Sequence, residues 1–282
     1  IKREVGVKTQ AVGLIRDYDF ANSILLDGKA DLVALGRQHL FDPYWTNHAR
    51  EHFGKTENFL SSDLSSKIPS LNPLHSAYEV GLVTSQIFAS PVRMDENNEI
   101  APYLAESWTI SPDGKTYTFN LAKNAKFHDG NPVTSEDLAF SIDVVLKHHR
   151  FGKQMFGPIT GYEFPDKNTL VVNLSKAHGP LLLAATTPRQ LPVMPKHVYG
   201  SSDDFMKQEA HSNPVGSGPF VISDRKTDEY VSIARNENHF VDGLPYLDSI
   251  TYLNVGDLTA KRIGLRKNQF QLARTDSVMR FS

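Results

Sequence analysis

The chain of 282 residues contains no cysteine. Disulfide frameworks, thiolate metal centres and cysteine nucleophiles are therefore excluded together. No apolar run approaches the ~18 residues that a membrane-spanning helix needs, and the best ones, such as residues 181–185, are short. An excess of either charge is missing too, with 30 Lys+Arg against 32 Asp+Glu and a net charge of -2. That balance gives no electrostatic reason to expect nucleic acid as a partner. The sequence also lacks a Gly-x-Ser-x-Gly nucleophile elbow, a phosphate loop ending in Gly-Lys-Ser/Thr, internal repeats and low-complexity tracts. What it does have is the composition of a globular protein, 40% hydrophobic and 22% charged, which is too apolar for wholesale disorder. The length allows about two domains. The first residue is Ile1, and neither end carries a cap or tail signal, so the chain is expected to be a fragment at both ends.

Two textures follow one another. Up to Gly54, short apolar runs alternate with helical periods. Residues 9–14 and 31–35 read as buried strands, and each is followed by a helix, the second of which starts near Pro43. Strand–helix–strand–helix with continuous apolar strands predicts a parallel sheet covered by helices. Residues 55–67 are rich in Ser, Thr, Asn and Lys and read as a seam or linker. Beyond them alternation of period two takes over. Residues 107–110 and Thr116–Leu121 flank Pro112-Asp113-Gly114 and predict a hairpin. Asp113-Gly114 and Asp129-Gly130 read as turns that need a positive φ. Thr169–Leu174, 220–223, 249–255 and 270–273 read as strands, and Leu258–Arg266 as a helix. Thr134-x-x-Asp137 is a capping-box variant, and Leu138, Ile142, Val145 and Leu146 follow on one helical face. Trp108, Tyr117 and Phe119 are expected in the core.

In residues 1–54, Thr9-Gln10-Ala11-Val12-Gly13-Leu14-Ile15, the stretch Asp27-Gly28-Lys29-Ala30-Asp31-Leu32-Val33-Ala34-Leu35-Gly36-Arg37, and Asp42-Pro43-Tyr44-Trp45 stand in order. This resembles the C-terminal end of the old yellow enzyme family of NADH:flavin oxidoreductases. The resemblance implies two strand–helix units of a (β/α)8 barrel, with Gly13, Gly36 and Arg37 holding the phosphate of FMN. The six preceding units, which carry the flavin ring contacts and the proton donor in that family, are missing. A functional cofactor is therefore not expected.

Downstream, several motifs stand in order: Ser70-Leu71-Asn72-Pro73-Leu74, the run Ile100-Ala101-Pro102-Tyr103-Leu104-Ala105-Glu106-Ser107-Trp108, Lys126-Phe127-His128-Asp129-Gly130, Thr134-Ser135-Glu136-Asp137-Leu138, and Gly216-Ser217-Gly218-Pro219-Phe220. Residues 56–282 thereby resemble the N-terminal lobe of family 5 extracellular solute-binding proteins, the binders of peptide and nickel ABC transporters. The resemblance implies a mixed-sheet lobe of type II periplasmic-binding-protein fold over residues 68–282. It also implies a peptide or related small solute in an interlobe cleft, ABC permease subunits as partners, and a periplasmic or extracytoplasmic location. Ser76, Tyr78, Phe140, Gly216, Ser217 and Gly218 are the candidate ligand contacts. No catalytic residue and no metal ligand is assigned.

His48-x-x-Glu51-His52 matches an inverted zinc-protease pattern, but no third ligand accompanies it, and a metal is not expected. The basic helix end Lys147, His148, His149 and Arg150 suits the helix dipole without a ligand. Two functional readings stand: a truncated ABC-transporter solute binder, or an FMN-dependent ene-reductase whose catalytic part lies upstream and whose location is cytoplasmic.

Overall fold

The computed structural model describes residues 10–12, 32–34, 59–64, 68, 70–75, 77–201, 204–255 and 257–267. β1 (Gln10–Val12) and β2 (Leu32–Ala34) pair in parallel, with Gln10 opposite Leu32. The expected parallel arrangement of these two runs is therefore present. Their helices, and the rest of the barrel expectation, lie outside the described residues.

β3 (Phe59–Leu64) comes next, then helix α1 (Tyr78–Ile87) and the short antiparallel pair β4 (Val92–Met94) and β5 (Ile100–Pro102). β6 (Ala105–Ile110) and β7 (Thr116–Leu121) form the predicted hairpin. Helices α2 (Ser135–His148) and α3 (Gly152–Phe156) lead to β8 (Ile159–Asp166) and β9 (Thr169–Leu174). The short helices α4 (Pro180–Ala184) and α5 (Lys196–Tyr199) precede β10 (Phe220–Lys226), β11 (Tyr230–Arg235), β12 (Ser249–Asn254) and helix α6 (Leu258–Arg266).

Two four-stranded sheets organise the second region. One is antiparallel, in the order β6-β7-β9-β8, and the other is mixed, in the order β10-β11-β12-β3. β3 closes the mixed sheet as a parallel neighbour of β12, with Phe59 opposite Ser249 and Leu64 opposite Asn254. Residues 55–67, expected to be a seam or linker, thus contain a sheet strand, and among the described residues it stands at the sheet's edge, where a backbone ladder matters more than a buried face.

In the antiparallel sheet, Tyr117, Phe119 and Leu121 of β7 and Leu170 and Val172 of β9 are buried, while Thr116, Thr118 and Asn120 are only half-buried. α2 covers the apolar face with Leu138, Ile142 and Val145. Each such side chain contributes about 1.5–3 kcal/mol by leaving water. Trp108, on edge strand β6, is partly buried against the same core rather than enclosed by it. Thr134 caps α2 as predicted: its hydroxyl accepts from the Asp137 amide at 3.4 Å, and the Asp137 carboxylate accepts from the Thr134 amide at 2.9 Å. Gly114 and Gly130 have φ of +68° and +88°, as their turns require. The core continues into the mixed sheet, where Phe220, Val231, Ile233 and Ile250 are buried and α1 packs against β10. Among the described residues no helix is long and apolar enough to cross a membrane.

Candidate functional site

The site begins with how α1 starts. Asn72 is buried, and its side-chain oxygen accepts from the Leu74 amide at 2.9 Å. His75 Nδ1 accepts from the Ala77 amide at 3.1 Å. These local turns compete with helix and hold the chain extended through Ala77, whose ψ is 136°, so the helix opens at Tyr78. Tyr78 is half-buried. The chain after α4 returns alongside: Val92 donates to Ala185 O at 3.1 Å, and Val193 donates to Ala89 O at 2.9 Å. The loop between those two ties carries Arg189, whose guanidinium carbon lies 5.2 Å from the centre of the Tyr78 ring.

A second cation–aromatic pair stands at the end of α2. Arg150 lies 4.4 Å from the centre of the Phe151 ring, and Phe151 is 46% exposed. His149 caps the helix, its Nδ1 accepts from the Phe151 amide at 3.1 Å, and its ring lies 6.0 Å from that of Phe151. Burial lowers the His149 pKa below its usual value, and the charges of Arg150 and Arg189 lower it further. At neutral pH the imidazole is therefore uncharged, and the two guanidinium groups supply the positive potential.

Arg189, Tyr78, His149, Arg150 and Phe151 thus form a basic, aromatic platform drawn from the start of α1, the end of α2 and the loop after α4. Among the described residues neither guanidinium is in an ion pair with a carboxylate. A platform of this kind holds an anionic group by charge-assisted hydrogen bonds and offers ring faces to apolar or planar groups. No group of three or more His, Asp or Glu among the described residues is arranged to hold a metal ion.

The sequence-predicted contacts fall in different places. Tyr78 belongs to the platform. Phe140 is partly buried against the core, nine residues before His149 and so ~13 Å away along the helix axis. Gly216, Ser217 and Gly218 are buried at the opposite end of α1. A Cβ on Gly216 would stand 2.1 Å from Ile87 O, and one on Gly218 would stand 2.6 Å from Gln86 O. These three candidate ligand contacts stand where the loop backbone touches the helix end, which is what requires glycine at 216 and 218. The loop is held further by His128, whose amide donates to Gly216 O at 2.8 Å and whose Nδ1 accepts from the Gly216 amide at 3.3 Å. His128 Nε2 donates to Gly218 O at 3.1 Å. Ser76, Gly13, Gly36, Arg37 and the His48, Glu51, His52 pattern lie outside the described residues. Sequence reasoning missed Arg189 and Phe151. The one local signal was the cation–aromatic pair Arg150-Phe151 directly after a helix end.

Residues 99–279 match the family described as bacterial extracellular solute-binding proteins, family 5 middle. The chain belongs to this family. A putative ABC transporter peptide-binding protein of Brucella ovis is 33% identical over 189 residues, covering 65% of this chain and 35% of that protein. The nickel-binding periplasmic protein of Escherichia coli is 26% identical over 190 residues, 67% of this chain and 36% of the other. The oligopeptide-binding protein AppA of Bacillus subtilis, solved in complex with a nonapeptide, superposes with a TM-score of 0.69 at 24% identity, covering 77% of this chain and 44% of that one. That likeness shows the fold. The family 5 chain described here thus spans little more than a third of the length of the curated relatives.

Proposed function

We propose that the chain is the N-terminal part of an extracytoplasmic solute-binding protein of an ABC importer, and that its platform takes a carboxylate-bearing solute, a peptide first among them. The observation that carries this reading is the half-buried Arg189 guanidinium, set against Tyr78 and in no ion pair with a carboxylate among the described residues. Peptide backbone and carboxylate are common to all peptides, so a site that reads them tolerates many side chains. A second lobe supplied beyond this chain closes over the solute, and the closed form is what the permease recognises. No bond is made or broken.

Residues 1–54 are read as a separate piece, the end of a flavin-dependent barrel, and the parallel pairing of β1 with β2 supports a strand–helix–strand unit there. Taken by themselves, these 54 residues are expected to release FMN on gel filtration. A phosphate clamp alone buries too little of the cofactor.

Calorimetry with di- to pentapeptides, and with nickel chelates as the competing class, tests the main reading. With one wall of the cleft, binding is expected near millimolar, and every ~1.4 kcal/mol gained by adding the second lobe tightens it tenfold. Arg189→Gln should abolish the heat of peptide binding. Unchanged binding in that variant would refute the placement of the solute.

A further inference from the structure

Gly81 is the fourth residue of α1 and is buried. Glycine in a helix interior is destabilising relative to alanine, so its presence there needs a reason. The reason lies in what occupies the space of the missing side chain. A Cβ on Gly81 would stand 2.6 Å from Arg189 Cζ, 2.7 Å from Nε and 3.0 Å from Nη1. Where Gly216 and Gly218 make room for backbone, the three nearest atoms at Gly81 all belong to one guanidinium. Tyr78 and Gly81 are three positions apart on the helix and so share a face. The guanidinium therefore rests on bare helix backbone at one position and beside an aromatic ring at the other. Its Cζ, Nε and Nη1 are the three atoms nearest the vacant side-chain position of Gly81.

We infer that Gly81 is a positioning residue: by carrying no side chain it seats the Arg189 guanidinium flat on α1, and that seat makes the site selective for solutes with a free carboxylate. The inference rests on the solute-binding reading given above and adds the residue that tunes it. A planar donor fork gains from a carboxylate only while its plane and depth are fixed. With a methyl group at position 81 the fork is lifted off the helix and turned away from Tyr78, since 2.6 Å is well inside any van der Waals contact. The obstructed group is the end of a flexible side chain, so the fold has no need to move. Gly81→Ala should therefore separate stability from selectivity, which a glycine kept for packing would not do.

The test uses the whole chain and two probes, trialanine and its C-terminal amide. Two-dimensional NMR of the arginine Nε–H signals, assigned with Arg189→Lys, reports the seat directly. In the ligand-free protein Arg189 should carry a ring-current shift from Tyr78, and Gly81→Ala should remove it while leaving the melting temperature equal or higher. In titrations the free acid should bind about tenfold more tightly than the amide to the native chain, or ~1.4 kcal/mol. In Gly81→Ala the two should bind within about twofold of one another, a ratio worth well under the ~1.4 kcal/mol of a tenfold change. Equal binding of acid and amide to the native chain would overturn the inference together with the carboxylate part of the reading above. A Gly81→Ala variant that keeps the preference would overturn the inference alone. Failure of both peptides to perturb Arg189 would overturn the inference together with the solute-binding reading beneath it.

Discussion

Acid should loosen the junction between the two sheets through His128. Its ring accepts the Gly216 amide at Nδ1 and donates to Gly218 O from Nε2, which defines a neutral imidazole protonated only at Nε2. A second proton would set an N–H against the Gly216 N–H. Burial lowers the His128 pKa from an ordinary 6.5 to about 4, against smaller opposing effects of the Gly218 carbonyl and Asp129. His239 is also lowered to about 4, by burial and then by the nearby His128. For His128 the unfolded chain binds the proton first. The stabilisation is complete above pH 6.5, is lost as the pH falls towards 4, and changes no further below that. The loss amounts to about 3 kcal/mol, a large share of the ~5–15 kcal/mol that holds a typical domain. Carboxylates whose pKa is lowered, such as Asp113 and Asp166, act below 3.8 and so in a separate window. Urea unfolding at steps from pH 7 to 4 should show this slope. In His128→Gln the protein should be weaker at pH 7, and its deficit against the native chain should shrink by about 3 kcal/mol by pH 4. Parallel pH profiles for the two proteins, or a His128 pKa of 6.5 measured by NMR in the folded state, would refute the argument.

Two further outcomes are expected from the local structure. Thr134→Ala removes one half of the α2 capping box and should cost about 1 kcal/mol in urea unfolding; Asp137→Ala should cost more, because that carboxylate also accepts the Lys196 amide at 2.8 Å. Gly216→Ala drives a methyl group into Ile87 O and should cost about 3 kcal/mol or more, whereas Gly130→Ala meets nothing within 4 Å and should cost only the ~1–2 kcal/mol of its positive φ. The reverse order in thermal melts would show that the loop does not press on α1.

Where the sequence was legible, one residue period and one environment coincided. β7 and β9 alternate strictly between a buried face and a half-open one, so Thr116–Leu121 and Thr169–Leu174 are found with their bounds. α2 announces its start through Thr134 and Asp137, and Leu258–Arg266 is recognised as a helix over its full length. β8 is not legible. It is an edge strand with two register shifts, and its outer half is exposed on both faces, which leaves no period to read. β3 reads FLSSDL and looks like a linker, because its partner β12 lies at the far end of the lobe. The platform is hidden for the same reason. Tyr78 carries no mark of Arg189, which reaches it only through backbone ties between Ala89, Val92, Ala185 and Val193. Family motifs pointed instead to Gly216–Gly218, where glycine serves the packing of α1.

The pairing of β3 with β12 joins positions 190 residues apart. On a ribosome adding ~5–20 residues per second, β3 waits roughly 10–40 s for β12, its neighbour among the described residues, to be synthesised. During that interval the antiparallel sheet is already complete, while β3 remains an unclaimed strand with a free backbone edge. The nascent chain is thus most open to capture by chaperones, or by another copy of itself, at the segment whose composition looks least like structure.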